Sequence, residues 1–557
     1  MPTIEISLKD LSRLVRKKIS VASLATALQY VKGEVESSEG DRLKIEIADS
    51  NRPDLWSTEG IARELRSRYG NEKGLAKFKT KKSGLKVIVE KNLRNIRPRT
   101  VCAVVRGLKI DDEILFQMIQ LQEKICENFG RRRKEVALGI YDYSRISPPI
   151  YFRAYGPEEI KFVPLDFNAE MSLKDILADH PKGKEYAHLL AGMKKYPVFI
   201  DSMDHVLSMP PVINSDFSGK VTKATNDVFI ECSGFSMKFL LPALNIMVAA
   251  LADRGGHVET VDVVLPDGKM QTPDFTPKKI LVNPDRARNI SGLHLNDTDI
   301  AKLLMKARYD VKNEHGTLAV FVPSYRQDVM HEVDVIEDMI ISYGYNNIES
   351  ITPSLASTGK LTPINNFIKK ITELMVGLGN LEVLSYTLTN KENLIKKMNL
   401  ESMKVIEIDN PVSKNWSVFR TWITPSLIEF MSNNTDKEYP QRVFEIGDVV
   451  IYDAKAETRS KNPAMLALAC AGSDANFTLA RQQLDFVLRT IGIEYVVEET
   501  EHDSFIPGRV GIVYANGREI ACLGEIHPKV LSNFGIEQPV CTFEMNLSEI
   551  LALAEKK

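Results

Sequence analysis

Hydrophobic and polar positions along this chain switch between a period of two and a period near 3.6, and the switches mark its elements. IEIS (residues 4–7), LKIEIA (43–48), LKVIVE (85–90) and DVFIEC (227–232) alternate as strands do. In NDTDIAKLLMKARYDV, Asn296 to Thr298 supply helix-start residues, and Ile300, Leu303, Leu304 and Ala307 recur on one helical face. The strand LAVFV (318–322) follows. YRQDVMHEVDVIEDMIISYGY (325–345) then reads as an amphipathic helix with a buried stripe of Val329, Val333, Ile336, Ile340 and Tyr343, closed by Gly344. Further on, QRVFEIGDVVIY (441–452) and GRVGIVYANGREIACLGE (508–525) are strands, and Asn516-Gly517 in the latter signals a hairpin.

These patterns divide the chain into regions 1–85, 86–270, 271–352 and 353–557. The basic run KFKTKKSG (77–84) reads as a linker, and Pro273 and Pro277 mark the next joint.

Composition narrows the picture modestly. The 557 residues are 44% hydrophobic and 26% charged with a formal net charge of −2, so a nucleic acid must be held by local patches or by another subunit. The most basic run is GRRRKEVALGIYD (130–142), which suits a solvated face or a contact to nucleic-acid phosphates equally well. The longest apolar stretch, Phe239 to Ala252, is too short to span a bilayer, and no secretory segment follows Met1. A cytoplasmic protein without a membrane partner is expected. The six cysteines are scattered and the nine histidines form no HxxxH or HxH pair, which argues against a disulfide frame, a zinc site or a histidine-based triad.

The acidic helix carries the sharpest chemical signal. Asp334, Glu337 and Asp338 stand at i, i+3 and i+4, and Asp328 precedes them where it can cap the helix. A solvated, dipole-favoured helix start accounts for the pattern. Mutual repulsion is the objection, and a hard oxygen-ligated cation or a partner's arginines would relieve it.

The string P-x-Y-R-x-D, then D-x-I-E-D, then YGYxxI resembles the B5-domain signature of the phenylalanyl–tRNA synthetase β-subunit family. DSNRPDLWSTEGIARELRSRYG (49–70) resembles that family's first domain. VLSMPPVIN (206–214) resembles its B3/B4 editing domain in the archaeal and eukaryotic branch. DNPVSKNWSVFRTWITPSLIEFMSNN (409–434) and RVFEIGDV (442–449) resemble its class II-like C-terminal domain. The resemblance implies an α+β multidomain fold: a small N-terminal α/β domain, a B3/B4-like editing domain, a winged-helix-like B5 module, and a class II synthetase-like antiparallel-sheet domain without catalytic motifs. It implies a Mg²⁺ ion on Asp328, Asp334, Glu337 and Asp338 near the junction with an α subunit. Asp338 is a departure, since the family often has Glu there. The chain length suits the shorter archaeal and eukaryotic branch.

The implied function is that of the β subunit of phenylalanine–tRNA ligase in an (αβ)₂ heterotetramer. It supports ATP-dependent attachment of phenylalanine to tRNA(Phe) by α and hydrolyses mischarged Tyr-tRNA(Phe); the alternative is a non-editing scaffold that binds tRNA or protein. This chain alone is not expected to aminoacylate, because Glu445 follows Phe444 where a nucleotide-binding strand needs arginine, and no glycine-rich motif with arginine occurs near its end. Arg420 reads as a helix-start or interface arginine more readily than as an ATP ligand.

Rejecting tyrosine at a phenylalanine site is hard for an apolar pocket, so an editing pocket must hydrogen-bond the phenol instead. By analogy Glu231, which alternation places on one face with Phe229 and Ser233, reads the tyrosine hydroxyl, with Ser208 and Ser233 near the ester or the water and Phe199 lining the pocket. The family often has Asp and Thr where Glu231 and Ser233 stand. Without the resemblance, a lone Glu in such a strand reads as pointing to solvent.

Overall fold

The first two alternating segments pair with each other: Thr3–Ser7 runs antiparallel to Arg42–Ile47, which pairs on its other edge with Gly33–Glu39. Ile4, Ile6, Leu43, Ile45 and Ile47 point inward and are buried against the helices Leu8–Val15, Val21–Leu28 and Thr58–Tyr69. The computed structural model describes residues 2–69 and 72–554, and the chain divides into two compact units, the first ending at Thr352 and the second beginning at Pro353.

Within the first unit, the helix Thr58–Tyr69 is almost wholly buried, charged residues included. Arg63 and Arg66 converge on Asp253 at 2.7 and 2.5 Å, while Arg254 reaches Asp10 and Glu59 at 2.7 and 2.5 Å. These buried pairs tie the N-terminal layer to the end of the long helix Met237–Asp253; removing one partner would strand a charge in low dielectric.

The large sheet of this unit has ten strands. Their order is Ile213–Asn214, Val206–Met209, Tyr196–Ile200, Ile150–Tyr155, Thr80–Val89, His257–Leu265, Arg99–Arg106, Val228–Gly234 and Val136–Asp142, with Gly268–Thr272 paired to His257–Leu265. Thr80–Val89 runs parallel to both of its neighbours, and the other ladders are antiparallel. The helices Asp112–Lys124 and Met237–Asp253 cover one face through Val101, Ala103, Val105, Val228 and Ile230. The other face buries Cys102, Val104, Tyr141, Phe152, Phe199 and Phe229. The basic run expected to be a linker does not behave as one from Thr80 onward. Thr80, Lys81 and Lys82 pair with Val258, Glu259 and Thr260 and begin a strand.

Lys278–Val282, Thr317–Val322 and Asp310–Glu314 form a three-stranded sheet against the helices Pro284–Ser291, Asp297–Lys306 and Glu332–Tyr343. Asn296 caps the second helix by accepting from the Asp299 amide, and Ile300 and Leu304 are buried as their spacing requires.

The second unit is built on seven strands in the order Leu381–Glu382, Gln441–Asp448, Ala464–Ala471, Val540–Asn546, Arg518–Ile526, Phe505–Ala515 and Val496–Glu499. Only the first pair is parallel. Asn516 and Gly517 turn the hairpin with φ of +49° and +74°, the positive values that a two-residue turn of this kind needs. All six cysteines are free. Among the described residues, no helix is long and apolar enough to cross a membrane.

Candidate functional site

Glu231 lies on Val228–Gly234, opposite Cys102 on one neighbouring strand and Gly139 on the other. It is 2% exposed, so it does not point to solvent. The neighbouring strand Val136–Asp142 is the sheet's edge, and a cavity of about 600 Å³ wraps around it. Glu231, Ser208, Pro210, Pro211, Asn214, Arg133 and His180 all line that cavity. Its volume is in the range that small-molecule sites occupy.

The carboxyl of Glu231 is divided between two environments. Its Oε1 lies 3.2 Å from the Tyr141 hydroxyl, which is also 2.7 Å from Ser208 Oγ. Its Oε2 is buried with no hydrogen-bond partner. Burial pushes the Glu231 carboxyl up to about 8, against the opposing pull of Arg97, Tyr141 and Ser233. Burial thus favours the protonated form of this carboxyl. Gly139 makes the Tyr141 contact possible, since a Cβ there would stand 2.2 Å from the Tyr141 hydroxyl.

The structure brings Glu231 and Ser208 into one cavity but sets Ser233 behind it. Ser233 is fully buried and accepts from Arg97 Nε at 3.1 Å. Phe199 does not line the cavity. It stacks on Phe152 at 4.1 Å in the core beneath the sheet, because its strand alternation turns it inward. Sequence reading missed Tyr141, Arg97 and Gly139. Tyr141 and Gly139 were legible as same-face positions of the strand VALGIYD, and only the strand pairing puts Gly139 opposite Glu231 and Tyr141 opposite Phe229.

The basic run is more than a solvated face. Arg131, Arg132 and Arg133 all adopt positive φ, between 50° and 62°, in the turn before the edge strand. Arg133 Nη1 donates to the carbonyls of Pro211 and Val212 at 3.1 and 2.8 Å, and its guanidinium stacks 4.1 Å from the Tyr186 ring centre. It braces the loop that forms the cavity wall.

The acidic helix departs from its expected form. It spans Glu332–Tyr343, and its buried face is Val335, Ile336, Met339 and Ser342; Val333 is 40% exposed, and Val329 is buried before the helix starts. His331 is the N-cap, and Asp334 completes the capping box by accepting from the Met330 and His331 amides at 2.8 and 2.7 Å. Asp328 therefore caps nothing. It pairs with Arg326 at 2.6 Å, and the same guanidinium holds Asp338 at 2.8 Å, with the Tyr309 hydroxyl also on Asp338. Burial works to raise the Asp328 carboxyl, but Arg326 outweighs it and holds it below the usual carboxylate range. Glu337 reaches the other way, to Lys32 at 2.7 Å, and Lys32 also pairs with Asp49 at 3.1 Å. Three of the four carboxylates expected to hold Mg²⁺ are thus ion-paired, Asp328 and Asp338 by one Arg326 and Glu337 by Lys32, while Asp334 is held by backbone amides. Among the described residues, no group of three or more His, Cys, Asp or Glu is arranged to hold a metal ion. The donors have the right chemistry for a hard cation, but their arrangement in this chain does not fit one.

Arg420 is 2% exposed and fully engaged in the second unit. It donates to Glu445 at 2.7 Å, to Ser385 Oγ at 2.8 Å and to the Asp448 carbonyl at 3.0 Å. It is a structural arginine.

Comparison with known proteins places these features together. The family model of the tRNA synthetase B5 domain matches residues 280–345, and that of the phenylalanyl tRNA synthetase beta chain CLM domain matches residues 348–547. The phenylalanine–tRNA ligase β subunit of Pyrococcus horikoshii is 48% identical over 551 residues, covering 98% of this chain and 99% of its own. That of Pyrococcus furiosus is 46% identical over 555 residues, covering 99% and 100%. The crystal structure of an N-terminal fragment of the Pyrococcus horikoshii phenylalanyl-tRNA synthetase β subunit is similar with a TM-score of 0.60 at 46% identity, over 62% of this chain and all of the fragment. With such identity along nearly its whole length, the chain belongs to the phenylalanine–tRNA ligase β-subunit family.

Proposed function

We propose that this chain works in the cytoplasm beside an α subunit in an (αβ)₂ assembly that joins phenylalanine to tRNA(Phe), and that its own cavity hydrolyses Tyr-tRNA(Phe). The observation that carries the hydrolytic reading is the bare Oε2 of Glu231, a buried polar atom without a partner inside a cavity that also holds Ser208. Such an atom is costly unless a ligand satisfies it, and a tyrosine hydroxyl does so where a phenyl ring cannot. In the reaction, water adds to the ester carbonyl carbon and the bond to the ribose oxygen breaks. Tyrosine and uncharged tRNA leave, and the ribose oxygen takes up a proton. Glu231 recognises the side chain, and Ser208 is the nearby hydroxyl that can orient the ester or the water.

The second unit supports the assembly without activating an amino acid, since its one buried arginine at the sheet is spent on Glu445. The Mg²⁺ ion implied for Asp328, Asp334, Glu337 and Asp338 is proposed for the assembled complex alone, because within this chain Arg326 and Lys32 already pair with Asp328, Asp338 and Glu337, and Asp334 caps the helix. No step of the chemistry passes through it.

The test measures deacylation of Tyr-tRNA(Phe) and phenylalanine charging on one preparation of the complex. Glu231→Ala should lose most deacylation and keep charging near wild type. Unchanged deacylation would remove Glu231 from the pocket, and a complex that never deacylates would favour the scaffold reading.

A further inference from the structure

Tyr141 is fully buried and stands behind the residues that line the cavity. Its hydroxyl nevertheless stands between the two cavity groups, 2.7 Å from Ser208 Oγ and 3.2 Å from Glu231 Oε1. Its ring is anchored by Phe229, with ring centres 5.8 Å apart. The position is not a packing accident: Gly139, opposite Glu231 in the ladder, leaves the space that the hydroxyl fills.

We infer that Tyr141 is a positioning residue of the hydrolytic cavity, whose hydroxyl links the carboxyl that reads the substrate to the serine at the ester end. The inference rests on the hydrolytic reading above. A phenol has one proton and donates to one acceptor at a time. When Glu231 is ionised, Tyr141 donates to Oε1, and Ser208 is free to donate to the phenol oxygen and turn its lone pairs to the cavity. When Oε1 carries a proton, Glu231 donates to the phenol oxygen, Tyr141 donates to Ser208, and the serine proton turns to the cavity. The two states differ by one proton on Oε1, which is exchanged with water in the cavity; every other change is a reorientation of hydrogen bonds. A tyrosine hydroxyl that donates to Oε2 favours the ionised carboxyl, so the Oε1 proton leaves to cavity water, Tyr141 turns to Oε1 and Ser208 is reoriented without being touched; recognition and the orientation of the hydrolytic end are coupled.

Other groups bear on the same carboxyl. Arg97 precedes one flanking strand, Cys102 lies opposite on that strand, Cys232 adjoins on its own strand, and Cys126 approaches from the turn after the helix Asp112–Lys124. Glu123, Arg133, Asp166, His180, Lys182 and Lys220 stand around the cavity. None of these joins Glu231 to Ser208 as Tyr141 does.

The experiment compares wild type with Tyr141→Phe, which keeps the ring and removes only the hydroxyl. Tyr-tRNA(Phe) deacylation by the full-length chain in its complex is followed from about pH 6 to about pH 9 with spontaneous hydrolysis subtracted. In parallel, isotope-edited infrared spectroscopy follows the Glu231 carboxyl band, assigned by its loss in Glu231→Gln. The expected result is a fall in kcat of about tenfold with little change in KM, together with a Glu231 midpoint shifted upward, since a hydrogen bond that favours the carboxylate is gone. Equal infrared midpoints in the two proteins would overturn the inference, as would an unchanged kcat in a complex that deacylates. If the wild-type complex shows no deacylation, the hydrolytic reading falls; a band that still shifts then upholds the link to Glu231 alone.

Discussion

Arg420 and Glu445 form an ion pair of 2.7 Å in which neither side chain is more than 2% exposed. Glu445 stands on Gln441–Asp448, one residue after Phe444, the position at which a nucleotide-binding strand would present an arginine. Here the signs are exchanged: the strand carries the acid, and the positive charge is delivered from Arg420 and consumed. Gly447 leaves room for the guanidinium, since a Cβ there would stand 2.4 Å from Arg420 Nη2. The sheet of the second unit thus buries Arg420 in an internal salt bridge and leaves it no charge for a ligand.

Replacing Arg420 by Met should therefore damage stability and not catalysis. It leaves Glu445 buried and unpaired, which costs about 3–5 kcal/mol when one partner of a buried pair is removed. Calorimetry of the isolated chain should show a lower melting temperature for the second unit, and pyrophosphate exchange should sit at background before and after. Exchange by the chain alone, with α excluded by mass spectrometry, would refute the division of labour.

Glu231 gives a pH dependence with a definite sign. Burial is the chief cause that pushes it up to about 8, from an unfolded value near 4.5. The folded chain holds a proton that the unfolded chain releases, so this contribution to stability is fully present below about 4.5 and is lost as pH rises through about 8. Glu231→Gln has no such proton. Its melting temperature should match wild type in acid and exceed it by a gap that grows between about 4.5 and about 8 and then levels off. Thermal melts of both proteins across that window check it; a gap that narrows with rising pH would mean that Glu231 is ionised and paired with Arg97.

The same protonation revises what selection should look like. An ionised acceptor facing a phenol is worth about 1.5–3 kcal/mol, a neutral one about 0.5–1.5 kcal/mol. Discrimination between Tyr-tRNA(Phe) and Phe-tRNA(Phe) should accordingly widen as pH rises through about 8. Competitive deacylation assays at several pH values would show it.

Much of this architecture was legible because local rules and tertiary structure agree. Asn296 caps where a cap was expected, Gly344 ends the acidic helix, and Asn516-Gly517 turns its hairpin. Glu231 and Ser208 came from a resemblance, and the fold does place them in one cavity. What the sequence did not show lies where a partner distant in sequence decides the outcome. Spacing shows that Asp334, Glu337 and Asp338 share a helix flank, but it cannot show that Arg326, Lys32 and two backbone amides divide them. Tyr141 and Ser208 are 67 residues apart, so no local pattern joins them. The buried stripe was only partly right: the helix starts after its cap at His331, which leaves Val329 outside it, and Val335 and Met339 rather than Val333 and Ile340 are buried beside Ile336.

The acidic cluster yields a test that separates ion pairing from metal binding. Arg326 touches Asp328 and Asp338 at 2.6 and 2.8 Å, and its side chain is 3% exposed. Arg326→Gln should leave two buried carboxylates facing each other and lower the melting temperature of the first unit strongly. Mg²⁺ or a chelator should not move the melting temperature of the isolated wild-type chain. A clear rise with Mg²⁺ would show that the carboxylates regroup around an ion without a partner subunit.

The arginine run offers a final separation, between bracing and nucleic-acid contact, because its members do different things. Arg133 is largely enclosed and spends its guanidinium on the Pro211 and Val212 carbonyls and on the Tyr186 ring. Arg132, its neighbour in the same left-handed turn, is exposed. Arg133→Ala removes two hydrogen bonds from the cavity wall, so kcat for Tyr-tRNA(Phe) deacylation should fall while tRNA affinity holds. Arg132→Ala should do the reverse. If Arg132 meets a phosphate, affinity should weaken modestly, and the slope of log affinity against log salt should fall by about 0.7–0.9. Filter binding over a salt series, run beside deacylation on both variants, distinguishes the roles. An altered salt slope in Arg133→Ala, with kcat intact, would make Arg133 a phosphate ligand and leave the cavity wall without its brace.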